Sequence, residues 1–242
     1  MAFLYVVLGL GDSGRREIVA HLDRFGLEDD TPATVVDAAE LAGPAVLAEP
    51  PPPATDNTFL LPPGEEDPRP WLEAAAAWKG HGGPAIARIF TIIDCSRLAA
   101  HPSCGPWYDA CLHFSDVILL GNREGAGNKW VRAYEKDLAR RALPSLVAMV
   151  KKGGRVDHPA ELLYPEPRRI SLFFDEPEPE IPEWERFEVE SDASADDEAE
   201  DALPGDAASD AYLARDENGN YAVTLPDARV LLALPLGAEA KG

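Results

Sequence analysis

Phe3-Leu-Tyr-Val-Val-Leu-Gly-Leu-Gly-Asp-Ser-Gly-Arg-Arg-Glu-Ile18 decides how the rest of the chain is read. Phe3 to Leu8 is a continuous apolar run without polar alternation, which predicts a strand buried on both faces. Glycines end it, and a helix follows from about Ser13, with Ile18, Val19, Leu22 and Phe25 spaced i, i+1, i+4, i+7 on the face expected to be buried. A strand, a glycine loop and a helix N-terminus in this order bring free backbone N–H groups and a positive dipole end together, a setting that favours anions. The loop satisfies two phosphate-binding patterns at once. Gly9, Gly11 and Gly14 complete G-x-G-x-x-G, and Asp37, 23 residues beyond Gly14, stands where a ribose-binding acid would be expected. Gly9 and Gly14 also frame G-x-x-x-x-G-K-[ST], except that Arg15 and Arg16 replace the Lys and the Ser or Thr. Neither arginine can ligate Mg²⁺. The plainest alternative is a glycine turn that only joins strand to helix.

Working outward, the same kind of apolar run recurs at Ala33 to Val36, Ile89 to Ile93, Val117 to Leu120, Ser145 to Val150 and Ile170 to Phe174. Helical patterns lie between them: one from Pro106 that should bury Trp107, Ala110, Cys111 and Phe114, and one from Asn128 that should bury Val131, Tyr134 and Leu138. Alternation of this kind predicts an α/β domain over residues 1–174, a mostly parallel sheet with helices on both faces, three layers deep. Between the second run and Ile89 the prolines Pro50 to Pro53 and Pro62-Pro63 leave only Trp71 to Trp78 helical, so that stretch reads as a loop-rich insertion.

Residues 175–210 carry 16 acidic side chains and one basic, Arg186. Their Pro-Glu opening disfavours helix and self-repels, which predicts a largely disordered acidic linker, with Trp184 and Phe187 as the part most able to dock. In residues 211–242, Ala211 to Ala214 and Asn220 to Leu225 flank the turn-forming Asp216-Glu-Asn-Gly219, the pattern of a β-hairpin, with Val230 to Leu234 as a third run of a meander.

The 242 residues carry 22 Lys and Arg against 43 Asp and Glu, a formal charge of −21. Such a balance argues against nucleic acid and an anionic membrane surface as partners. No apolar run approaches the roughly 18 to 20 residues of a spanning helix. The N-terminus has neither a basic stretch before its apolar run nor a small-residue cleavage site after it, and three cysteines do not suggest a disulfide framework. A cytoplasmic location is the expectation.

Further candidates follow other strands. Asp94 closes Ile-Ile-Asp-Cys, read as the end of the third strand, the place of a Mg²⁺-holding acid in a phosphate-loop protein. Gly121-Asn-Arg-Glu-Gly125 follows the fourth, where guanine is read by N-K-x-D, and neither register restores that motif. Gly9, Asp37, Asp94 and Asn122 all follow strands, so they should converge on the carboxyl edge of the sheet, the usual ligand crevice. Cys95, His101, Cys104, Cys111 and His113 cluster in sequence without zinc-ribbon spacing, and Cys111 falls on the buried face of its helix. Packing cysteines are the expectation, with Cys95, His101, Cys104 and His113 as weak metal candidates.

Ile89 to Leu98, Phe114-Ser-Asp-Val-Ile-Leu-Leu120 and Gly154-Arg-Val-Asp-His-Pro-Ala-Glu-Leu-Leu163 resemble the second half of CobW-like GTPases, which are implicated in delivering metals to enzymes. The likeness covers Phe3 to Phe25 and Ile86 to Leu163. It implies a phosphate-loop NTPase fold and a GTP or other nucleotide site at Gly9, Gly11, Gly14, Arg15, Arg16, Asp37, Asp94 and Asn122. The replaced Lys and Ser/Thr, the broken guanine motif and the missing cysteine-rich metal motif between Asp37 and Ala85 predict little or no hydrolysis and action through protein partners. The other reading is an NAD(P)-dependent oxidoreductase built on Gly9, Gly11, Gly14 and Asp37, in which Ile18 stands where a small residue is usual. On either reading an anionic ligand belongs at Gly9 to Gly14, with Arg15 and Arg16 near an exposed first turn.

Overall fold

The computed structural model describes residues 3–27, 32–48, 57–80, 83–175 and 210–233. Six strands, β1 (Phe3–Gly9), β2 (Thr34–Asp37), β3 (Asn57–Leu61), β4 (Ala85–Asp94), β5 (Val117–Gly121) and β6 (Leu146–Met149), form one sheet in the order β2-β3-β1-β4-β5-β6. Every pairing is parallel. The helices are α1 (Arg15–Gly26), α2 (Arg69–Gly80), α3 (Cys95–Ala100), α4 (Gly105–Phe114), α5 (Arg123–Ala126), α6 (Asn128–Arg140), α7 (Pro159–Leu163) and α8 (Ala228–Ala233). This is the expected α/β architecture. The central strands are buried on both faces, which is why their sequences run apolar without alternation.

The chain divides into two units, Met1–Ser171 with Thr224–Gly242, and Leu172–Val223. In the first, Tyr5, Val7, Phe59, Phe90, Ile92, Val117 and Leu119 pack with Ile18, Val19 and Leu22 of α1 and with Leu162 and Leu163 of α7. Alternation turns Leu4, Val6, Leu8, Ile89, Ile93, Ile118 and Leu120 to the opposite face, where α2 and α4 cover β4 and the core holds Trp71, Trp78, Trp107 and Tyr108. Asp116, just before β5, is fully buried. Its carboxylate accepts hydrogen bonds from Ile89 N at 2.6 Å, Arg168 N at 2.6 Å and Arg169 Nη1 at 2.9 Å, tying the chain beyond α7 to the sheet.

Several expectations need correction. The stretch read as a loop-rich insertion contains β3, which lies between β1 and β2. Asn57-Thr-Phe-Leu-Leu61 is a short buried run ended by Pro62-Pro63, and the proline density around it hid the strand. Ile170 to Phe174 joins no strand, because the preceding arginines are held by Asp116 and not by a ladder. Phe25 is 56% exposed, since the buried stripe of α1 runs Arg15, Ile18, Val19, Leu22, Gly26 and leaves Phe25 at its margin. Tyr134 is half-buried, beside Trp130, whose ring stacks on it at 5.0 Å. Val230 to Ala233 is helical: Asp227 accepts from Arg229 N at 2.9 Å as an N-cap, and Ala228 and Leu231, spaced i, i+3, are buried. Pro226-Asp227 was the helix-start signal. Leu234 lies outside the described residues, as do 176–209, including Trp184 and Phe187.

In the second unit the turn at Asp216-Glu-Asn-Gly219 does form. The Asp216 carboxylate accepts from the N–H groups of Asn218 and Asn220, each at 2.9 Å, Gly219 takes φ +81°, and Arg215 bridges Tyr221 in antiparallel fashion with its guanidinium 4.3 Å from the tyrosine ring centre. One bridge closes this turn; the runs on either side do not extend it into strands.

Candidate functional site

The ladder registers align the strand ends. Gly9 pairs with Ile92, Asp37 with Leu61 and Asp94 with Gly121, so the residues singled out from the sequence do share the carboxyl edge. Gly9 is required there on two counts: its φ is +146°, and a Cβ would lie 2.9 Å from the Ile92 carbonyl oxygen. Gly14 takes φ +81° at the start of α1 and offers no side-chain cap.

The two arginines behave differently. Arg15, expected near an exposed turn, is 7% exposed, and its Nη1 donates to the Pro62 carbonyl at 2.5 Å. Burial lowers its pKa, while the nearby carboxylates of Asp37 and Glu65 oppose that shift. Arg16 is exposed and paired with Asp37 at 2.5 Å and with Glu40 at 3.8 Å. Asp37 therefore reaches the loop as an ion-pair partner of Arg16. Because β3 separates β2 from β1, it does not end the strand neighbouring β1, as the ribose-binding acid of a dinucleotide fold does. That removes the geometric basis of the oxidoreductase reading.

One N–H of the loop is taken by the chain itself. Glu65 Oε1 accepts a hydrogen bond from Gly11 N at 3.1 Å. Gly64 sits so close that a Cβ on it would lie 2.3 Å from Gly11 N and 2.7 Å from the Leu10 carbonyl carbon. Ser13 N donates to the Leu10 carbonyl at 3.0 Å, closing a turn instead of pointing at a ligand. At this loop the buried Ser13 Oγ and Arg15 Nε have no hydrogen-bond partner. Glu65 was missed from the sequence because its contact spans 54 residues and rests on an unrecognised strand.

Asp94 ends β4, the fourth strand in the chain and not the third. The third, β3, ends at Leu61-Pro62 without a carboxylate. Buried Asp94 serves as the N-cap of α3, accepting from Arg97 N at 2.9 Å, and its other oxygen accepts from Asn122 Nδ2 at 2.8 Å. Asn122 can point back in this way because it adopts the left-handed region, φ +47°. Both line a crevice of about 940 Å³ at the ends of β1, β4, β5 and β6, with Ser13, Arg97, Arg123 and Lys152 also on its walls. A smaller one of about 580 Å³ lies on the Arg15, Arg16, Asp37 and Glu65 side. Gly154, φ +74°, brings the loop after β6 against α1, where a Cβ would lie 2.6 Å from the Glu17 carbonyl carbon.

Cys95, His101, Cys104, Cys111 and His113 do not converge, and among the described residues no three His, Cys, Asp or Glu side chains are placed to hold a metal. All three cysteines are buried thiols. Burial pushes the Cys95 pKa up to about 12, with Asp94 adding to the shift, and raises those of Cys104 and Cys111.

Fold and edge together define a parallel α/β protein with a glycine loop between its first strand and first helix, at the carboxyl edge of the sheet. Among solved structures the chain is similar to the Zn(II)-bound YjiA GTPase from E. coli, at 15% identity and a TM-score of 0.43, over 69% of this chain and 66% of that one. No family model and no curated protein matches the sequence. Among the described residues no helix is long and apolar enough to cross a membrane.

Proposed function

We propose that this protein is a CobW-like phosphate-loop protein that has lost nucleotide hydrolysis and acts as an accessory or regulatory factor through protein partners. The observation that carries this reading is the Glu65 carboxylate on the Gly11 N–H. A working loop holds its N–H groups open for phosphate oxygens. Here a carboxylate of the same chain takes that role, with the Gly64 backbone wedged behind it. Arg15 and Arg16 supply no Mg²⁺ ligand, and β3 ends without an acid that could hold the ion through water. Metal transfer, implied by the resemblance, would need a ligand set that the described residues do not gather. The reading is tested by Mg²⁺-dependent GTP turnover of the purified protein. Release at the no-enzyme background is expected; turnover that Asp94→Ala abolishes contradicts it.

A further inference from the structure

The chain's charge is distributed unevenly in a second way. Residues 123–155 hold nine Lys and Arg against three Asp and Glu, a net of +6 within a chain of −21. Much of it lies on α6, where Lys129, Arg132, Lys136 and Arg140, at i, i+3, i+7 and i+11, form one exposed row opposite buried Val131 and Leu138. At about 1.5 Å per residue that row is roughly 16 Å long. Glu135 and Asp137 lie off it, and Asp137 pairs with Arg140 at 2.9 Å and Arg141 at 3.1 Å. Lys129, Arg132 and Lys136 have no ionic partner among the described residues, and neither does Lys152. Asn128, the first residue of α6, lines the carboxyl-edge crevice, whose walls mix Arg97, Arg123, Lys151 and Lys152 with Asp12, Glu17, Asp94 and Glu124, so the unmixed basic row belongs to the helix and not to the crevice.

A row of this kind works against its own helix. Arg132 and Lys136, then Lys136 and Arg140, are like charges at i, i+4, an arrangement that destabilises. The chain has 43 acidic residues and sets none of them in that row.

We propose that this face of α6 is a docking surface for an acidic, extended segment of a partner protein. The proposal rests on the reading of the protein as one that acts through partners, and it names their chemistry. Outside residues 123–155 the chain carries −27, so its net charge disfavours a long polyanion, while the row of about 16 Å matches a short acidic one. Screening confines the attraction to about 8 Å at physiological salt, which suits a short acidic peptide better than a duplex or a lipid surface. The Trp130 ring stacks on Tyr134, so one of its faces is not open to a nucleic-acid base.

The test is fluorescence anisotropy of the full-length protein with a labelled oligoglutamate peptide, at low and physiological salt. Duplex DNA of equal charge and phosphatidylserine vesicles form parallel arms. The expected result is oligoglutamate binding that weakens with salt and falls at least about tenfold in the Lys129→Glu, Arg132→Glu, Lys136→Glu variant. A charge-keeping variant, Lys129→Arg, Arg132→Lys, Lys136→Arg, should bind as the parent does, and circular dichroism should show all three proteins equally helical. No oligoglutamate binding, equal binding by the charge-reversed protein, or tighter binding of DNA or vesicles overturns the proposal. GTP turnover in the same samples reports on the loop separately: turnover together with row-dependent peptide binding would remove the non-hydrolysing reading and leave the docking face standing.

Discussion

Arg15 and Arg16 are adjacent in sequence and opposite in role. Arg15 is buried against the Pro62 carbonyl, so truncation leaves an unpaired acceptor and a cavity in a packed site. Arg15→Ala should lower stability by about 2–4 kcal/mol, read as a fall in the urea midpoint. Arg16 is paired but exposed, and Arg16→Ala should change the same midpoint by no more than about 0.5 kcal/mol. Asp94→Ala removes the α3 cap and the partner of Asn122, and should lower stability by about 1–2 kcal/mol. The glycines were legible in the sequence, since Gly9 and Gly14 need conformations that other residues resist. The burial of Arg15 was not: nothing local shows that residues 62–65 fold back over the loop.

At the scale of elements, long apolar runs and long helical periods were readable: β1, β5, α2, α4 and α6 stand where their patterns placed them, and β4 does too except that it begins at Ala85, ahead of its apolar run at Ile89. β3 was not, because five residues between proline-rich stretches give no period to measure. Missing it shifted the strand count, which made Asp94 look like the acid of the third strand, and it hid the order that sets Asp37 two strands from β1. α8 was misread because Val230 to Leu234 is apolar throughout, and only Pro226-Asp227 marked its start. The β3–α2 segment offers a direct test. Gly64→Ala places a Cβ against Gly11 N and Leu10, which should force residues 62–65 off the loop and lower stability by about 1–3 kcal/mol, measured by thermal unfolding. A neutral Gly64→Ala would mean that this segment does not hold the loop.

For the whole molecule, the buried acids that lose protons at high pH act in one direction. Burial raises the pKa of Cys95 to about 12 and that of Tyr5 to about 12, and it raises those of Cys104, Cys111 and Tyr108. The unfolded chain ionises these groups near their ordinary values while the folded chain keeps them neutral. Above about pH 9 the unfolded state therefore binds fewer protons than the native state, and stability should fall as pH rises toward 12. The same burial keeps the three thiols protonated and out of reach at pH 8, so iodoacetamide should not label the native protein there and should label it fully in denaturant.

The central claim is that the chain's own Glu65 takes the place of a phosphate on the glycine loop. It is tested most directly by thermal unfolding of the parent and of Glu65→Ala against rising GTP with Mg²⁺ and, separately, against inorganic phosphate, because a ligand that binds only the native state raises its melting temperature. The account predicts no shift for the parent with either ligand and a phosphate-dependent rise once Glu65 has left the Gly11 N–H. A GTP-dependent rise of several degrees in the parent, unchanged in Glu65→Ala, would contradict it.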